Sequence, residues 1–246
     1  MDQAFTRVSD FVAWYAARTP NAEAAVQGDT RLTYAELHRQ VESVARALLA
    51  AGIRKGDRVA TLSPPNADFW ITFLASVSIG AIWLGLNPRY RTDELKYLVG
   101  DAEPSLLFAR TEFGGRRYDD EIAAMRAAAP SITRVVSLGD AAATAEGERL
   151  ADFIAAGASV PDESLDAARA GCGGREACLL VYTSGSTGQP KGALLHHEGI
   201  IAFSLAQNRA WPLENQRFLN YLPINHIGCV IDLSSPTLAA GGCIVF

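Results

Sequence analysis

Ten consecutive residues stand apart from their surroundings: Thr183, Ser184, Gly185, Ser186, Thr187, Gly188, Gln189, Pro190, Lys191 and Gly192. Three glycines allow positive φ and close approach of the backbone to a ligand. Successive backbone N–H groups in such a loop converge on an anion as a nest. The hydroxyls of Thr183, Ser184, Ser186 and Thr187 add donors without bulk. Pro190 fixes φ beside Lys191, which supplies the one full positive charge. This chemistry is a cradle for a polyphosphate.

Other phosphate and catalytic loops fit poorly. A Walker A loop needs Lys-Ser or Lys-Thr after its second glycine, whereas Pro190 precedes Lys191 and Gly192 follows it. A dinucleotide fingerprint opens a helix, and this loop leads into an apolar, strand-like run. A nucleophile elbow needs G-x-S-x-G, which neither Ser184 nor Ser186 satisfies. Further along, His226 sits in Leu222-Pro-Ile-Asn-His-Ile-Gly228, where a histidine is either a packed residue or the lining of a pocket. His196 and His197 are adjacent and point to opposite faces of a strand, which argues against a shared zinc. The four cysteines form no C-x-x-C pair and have no base near them in sequence. No residue is assigned as catalytic or as a metal ligand.

The elements that must hold the loop read clearly. Ala177–Tyr182 is an apolar strand entering it, 193–197 an apolar run leaving it, and a helix follows from about Glu198. Upstream, Phe5, Val8, Phe11, Val12 and Tyr15 are spaced for a helix over 4–16. Residues 24–26 and 31–33 flank Gln27-Gly28-Asp29 as a hairpin. Thr33 and Glu36 form a capping box, Leu37, Val41, Val44, Ala45, Leu48 and Leu49 a stripe, and Gly52 a stop. A strand at 58–63 follows. Helices near 92–99, 119–128 and 148–156 then alternate with strands near 105–109 and 132–138. The fold class is α/β, with largely parallel sheets flanked by helices. The expected division is a first α/β subdomain over 1–160, a connecting loop over 157–176, and the start of a second α/β subdomain over 177–246.

Composition bounds the rest. The 246 residues are 49% apolar and 20% charged, enough for a sizeable core. A net charge of −5 and the lack of a basic run give no electrostatic reason to bind nucleic acid. Residues 69–86 carry no charge and reach the lower limit for a membrane span. Asn66 as an N-cap and Asn87-Pro88 as a turn instead predict a buried helix at 67–79 and a strand at 81–86, with no transmembrane segment. The start lacks a basic region followed by an apolar one, so a cytoplasmic protein is expected.

The ordered motif Thr-Ser-Gly-Ser-Thr-Gly-x-Pro-Lys-Gly over 183–192 resembles the signature of the adenylate-forming superfamily. That group holds acyl- and aryl-CoA synthetases, peptide-synthetase adenylation domains and beetle luciferases. His197 stands where the family has a histidine opening a helix, and 222–228 resembles its Pro-x-x-His-x-x-Gly stretch. Residues 32–37, 66–69 and 86–88 agree as well, so the resemblance spans most of the chain. It implies an AMP-forming acyl-CoA synthetase that uses ATP, Mg2+, coenzyme A and a small carboxylic acid. Thr183, Ser184, Gly185, Ser186, Thr187, Gly188 and Lys191 would hold the nucleotide's phosphates, and His226 would touch the acyl substrate. It also implies absences. No Tyr-Gly-x-Thr-Glu motif is present, and the ribose-binding aspartate and mobile C-terminal domain would lie beyond residue 246. The chain is therefore expected to be an incomplete N-terminal domain, inactive alone, whose partner is the missing C-terminal part of the same enzyme. The alternatives are an amino-acid or aryl-acid adenylation enzyme and a non-catalytic nucleotide-binding module.

Overall fold

The structure is a computed structural model and describes residues 5–139, 147–183 and 188–246. In chain order it runs α1 (Asp10–Arg18), β1 (Glu23–Gln27), β2 (Thr30–Thr33), α2 (Tyr34–Ala50), β3 (Arg58–Leu62), α3 (Ala67–Ser78), β4 (Ile82–Leu86) and α4 (Thr92–Ala102). Then come β5 (Leu106–Ala109), β6 (Glu112–Phe113), β7 (Arg116–Arg117), α5 (Asp119–Ala128), β8 (Arg134–Ser137), β9 (Glu148–Arg149), α6 (Leu150–Ala156) and α7 (Asp162–Ala170). The last part holds β10 (Ala177–Thr183), β11 (Lys191–His196), α8 (His197–Ala210), β12 (Arg217–Leu219), a π-helical segment (Cys229–Ser234), α9 (Ser235–Ala239) and β13 (Cys243–Val245).

The larger sheet has the order β11-β10-β4-β3-β5-β8-β9 and is parallel except for the β10–β11 pair. Its inner strands β4, β3, β5 and β8 are buried on both faces, and alternate residues enter two cores. Val59, Leu106, Phe108 and Val136 join the core containing α2 and α3. Ala60, Leu62, Leu107, Ala109 and Val135 join the core under α4 and α5. A smaller sheet, β12-β13-β1-β2, pairs the two ends of the chain, with Ala25 opposite Ile244. Strands before and after 157–176 thus share both sheets. That stretch itself carries a 3-10 turn and α7, of which only Gly157 and Leu165 are buried.

Local sequence explains the helices that matter most. At the start of α2, Thr33 Oγ1 accepts from Glu36 N at 3.2 Å and Glu36 Oε2 accepts from Thr33 N at 2.8 Å. Thr33→Ala removes one half of this box and is expected to lower stability by about 1 kcal/mol, read as a shift in the urea midpoint at unchanged slope. α3 is buried at every position from Phe69 to Ser78, and the hydroxyls of Thr72, Ser76 and Ser78 donate to the carbonyls of Phe69, Thr72 and Ala75 within the helix, so no face needs water. Asn66 caps it by accepting from Phe69 N at 2.9 Å. The uncharged run splits into this helix and β4, and no described helix is long and apolar enough to cross a membrane.

Candidate functional site

Of the phosphate-loop candidates, Thr183, Gly188 and Lys191 lie at the open end of the β10–β11 hairpin. β10 is held in the sheet by β4, with Leu179 opposite Trp83 and Leu180 opposite Leu84. β11 runs back antiparallel at the edge of the sheet, pairing Lys191 with Thr183 and Gly192 with Tyr182. Thr183 and Lys191 are therefore partners across the base of the loop, and both are exposed. Gly188 has φ +88 and open space around the position of a Cβ, so only its backbone conformation demands glycine. Ser184, Gly185, Ser186 and Thr187 lie outside the described residues.

Three tyrosines fasten this hairpin and its surroundings. Tyr97 OH donates to Pro190 O at 2.9 Å. Tyr182 OH donates to Asp101 Oδ2 at 2.6 Å, and burial together with that carboxylate pushes the Tyr182 pKa up. Tyr90 OH accepts from Asn225 Nδ2 at 2.6 Å. All three rings, with Thr183, Gly188, Gln189 and Pro190, line a cleft of about 510 Å³.

Asn225 belongs to the second candidate segment. Here the backbone turns, with His226 N donating to Pro223 O at 2.9 Å and Cys229 N to His226 O at 3.0 Å. The His226 ring is exposed, and its Nδ1 accepts from Gly228 N at 3.0 Å. The local bond fixes the ring against its own turn. Ile224 is buried against β4, where the absence of a side chain at Gly85 gives it room. The turn continues into the π-helical segment. There Asn220 Nδ2 and Ser234 Oγ both donate to Cys229 O, at 3.0 and 2.8 Å.

His196 and His197 have different tasks. His196 Nδ1 caps α8 by accepting from Gly199 N at 3.0 Å. His197 is fully buried, and its Nδ1 accepts from Val8 N at 3.3 Å. Its Nε2 is buried without a partner among the described residues, and burial pushes its pKa down to about 4. The sequence reading of one histidine at the head of a helix thus resolves into a cap and a buried pin.

A further cleft of about 430 Å³ lies at the C-terminal ends of β3, β4 and β5, lined among others by Ser63, Asn66, Asn87, Arg89 and Arg110. Strand order reverses between β3 and β5, and ligands of open α/β sheets bind at such points. Arg110 pairs with Asp68 at 3.0 Å, while the Arg89 guanidinium has no ion-pair partner among the described residues.

The sequence from residue 12 to residue 246 matches the AMP-binding enzyme family. The chain belongs to that family. A feruloyl-CoA synthase of Amycolatopsis sp is 33% identical over 238 residues, which cover 94% of this chain and 42% of that protein. A protein of Salinispora arenicola named as a nonribosomal peptide synthetase, CymA, is 34% identical over 206 residues, 83% of this chain and 2% of that one. Among solved structures, one of Rhodopseudomonas palustris named as a long-chain-fatty-acid CoA ligase superposes with a TM-score of 0.82 at 25% identity, covering 98% of this chain and 57% of that one. The AMP-binding chain described here spans less than half the length of these curated relatives. Its α/β architecture of mostly parallel sheets is that of the N-terminal domain of adenylate-forming enzymes. Tyr90, Tyr97, Asp101 and Asn225 were not singled out from sequence. Their partners lie 93, 81 and 135 residues away, beyond the reach of any local pattern.

Proposed function

We propose that this chain is the phosphate-loop-bearing part of an AMP-forming acyl-CoA synthetase. In that reaction a carboxylate attacks the α-phosphate of ATP, giving an acyl-adenylate and pyrophosphate. The thiol of coenzyme A then displaces AMP and forms the thioester. The observation that carries the reading is the β10–β11 hairpin, which presents a Gly- and hydroxyl-rich loop ending at Lys191, in a chain of the AMP-binding enzyme family.

The residues have defined tasks in this proposal. Backbone donors of the loop, with Thr183, Ser184, Gly185, Ser186, Thr187 and Gly188, bind the β- and γ-phosphates. Lys191 stabilises the charge of departing pyrophosphate. This is positioning and electrostatics and needs no nucleophile from the loop. Mg2+ would enter with the nucleotide, as the counter-ion of its phosphates. His226 and Asn225 line the carboxylic-acid side. The Arg89–Arg110 cleft has the charge and size for the phosphates of coenzyme A. Four free cysteines suit a reducing cytoplasm.

Binding by this chain alone is expected to be weak. A charge-assisted hydrogen bond contributes about 1.5–3 kcal/mol, while association costs on the order of 4–15 kcal/mol. In a titration of the 15N-labelled chain, ATP is expected to move the Gly188, Lys191 and Gly192 amides first, with a roughly millimolar midpoint. Lys191→Ala removes that response. Shifts confined to other regions would sink the loop as the phosphate site. Carboxylate-dependent ATP–pyrophosphate exchange is expected to stay at background. Exchange at an enzymatic rate overturns the view that the catalytic machinery is incomplete here. The likeness to CymA favours a second reading, amino-acid adenylation; a longer form of the protein that activates amino acids and no fatty or aryl acids would establish it.

A further inference from the structure

The two bonds that α4 makes to the phosphate hairpin have a shared geometry. Tyr97 and Asp101 are four residues apart, so they lie one above the other on one face of the helix. Tyr97 reaches the outgoing stem, donating to Pro190 O at 2.9 Å. Asp101 reaches the incoming stem, accepting from Tyr182 OH at 2.6 Å. Thr183–Lys191 is the last registered pair, and the two contacts bracket it, Tyr182 lying one pair below and Pro190 one residue beyond.

The hairpin needs such support. β11 is an edge strand, paired on one side only, and residues 191–194 are exposed. Pro190 has no N–H, so its carbonyl is the one backbone group it offers for an anchor. The helix on the other side is a firm base. Leu95, Leu98, Val99 and Ala102 are buried in the core shared with α5, which leaves Tyr97 and Asp101 to face the hairpin. Tyr90, just before the helix, holds Asn225 and so ties the His226 turn to the same element.

We propose that the Tyr97–Asp101 face of α4 is a two-point clamp on the base of the phosphate loop, with Tyr97 the positioning residue for Lys191. A stem held at both sides lowers the ordering cost when an anion binds, because less freedom remains to be lost. The ligand part of this inference rests on the phosphate-loop reading; the clamp does not.

The test uses the 15N-labelled 246-residue chain and its Tyr97→Phe, Asp101→Ala, Tyr182→Phe and Asp101→Ala/Tyr182→Phe variants. Backbone order parameters at Gly188, Gln189 and Lys191 are expected to fall in Tyr97→Phe, toward the flexible range below about 0.6. Those at Leu179, Leu180 and Val181 stay near 0.85, and the thermal midpoint moves by no more than about 2–4 °C. Asp101→Ala and Tyr182→Phe remove the same bond, so the double variant matches either single one. Inorganic tripolyphosphate is the binding probe, and its midpoint is expected to rise about three- to tenfold in Tyr97→Phe, the range that a single uncharged hydrogen bond spans. Unchanged order parameters at Gln189 and Lys191 in Tyr97→Phe overturn the clamp. If those values fall but tripolyphosphate moves no amide of 188–192 in the parent chain, the clamp stands and the phosphate-loop reading fails.

Discussion

Gly85→Val is expected to lower the unfolding free energy by about 3 kcal/mol or more, the upper range for overpacking a rigid site. A Cβ at Gly85 would lie 2.8 Å from the carbonyl carbon of Ile224 and from the outer ring of Trp83, and closer still to Ile224 O. Two of these atoms are backbone, and the third belongs to a fully buried indole bonded through Nε1 to Thr61 Oγ1 at 2.9 Å. No flexible side chain is there to yield, so the turn carrying Asn225 and His226 must lift from β4. Loss of the Tyr90–Asn225 bond should accompany the drop in stability. Gly100→Ala is the control. Gly100 lies inside α4, and its Cβ would meet only Ala128 O at an ordinary 3.7 Å. That change should stabilise by roughly 0.4–1 kcal/mol through reduced unfolded-state entropy. Urea unfolding of both variants checks the pair; equal and small effects would show that Ile224 is not wedged against β4.

The same contact shows what the sequence could reveal and what it could not. The strands on either side of the Gly- and hydroxyl-rich stretch, and the helix after them, were legible because their residue types are local and ordered. The capping box of α2 and the split of the uncharged run into α3 and β4 were legible for the same reason. α7 was missed because it buries Leu165 alone and carries no apolar stripe. α1 begins at Asp10 and not near residue 4, because the Asp10 carboxylate accepts from Thr6 N and Arg7 N, at 3.1 and 2.9 Å, and closes a turn before the helix. The π-helical segment has no periodic signature; it depends on Asn220 and Ser234 sharing the carbonyl of Cys229. Pairings such as β1 with β13 join opposite ends of the chain, and no local pattern encodes them.

His197 provides the second large effect, as a loss of stability in mild acid. Its ring is fully buried at the head of α8, where the helix dipole presents its positive end. Burial dominates, with Asp10 and Glu176 raising the pKa and Arg7 and His196 lowering it, and the result lies at about 4 against 6.5. Between these values the unfolded chain binds a proton that the folded chain refuses. Stability is therefore complete above pH ~6.5, falls as pH drops toward ~4, and levels off below, a loss of about 3 kcal/mol from this group. His38 is also shifted down, by burial, and adds to the slope in the same window. Glu23, Glu36, Asp152 and Glu176 are shifted below the usual carboxylate range, so their losses come at lower pH. The difference between the parent chain and His197→Gln isolates the histidine. The variant loses the bond from Val8 N and starts less stable at pH 7.5, but its unfolding free energy should fall more gently down to pH 4.5. Parallel urea-unfolding curves for the two proteins across that range would show that His197 already takes up its proton in the folded state.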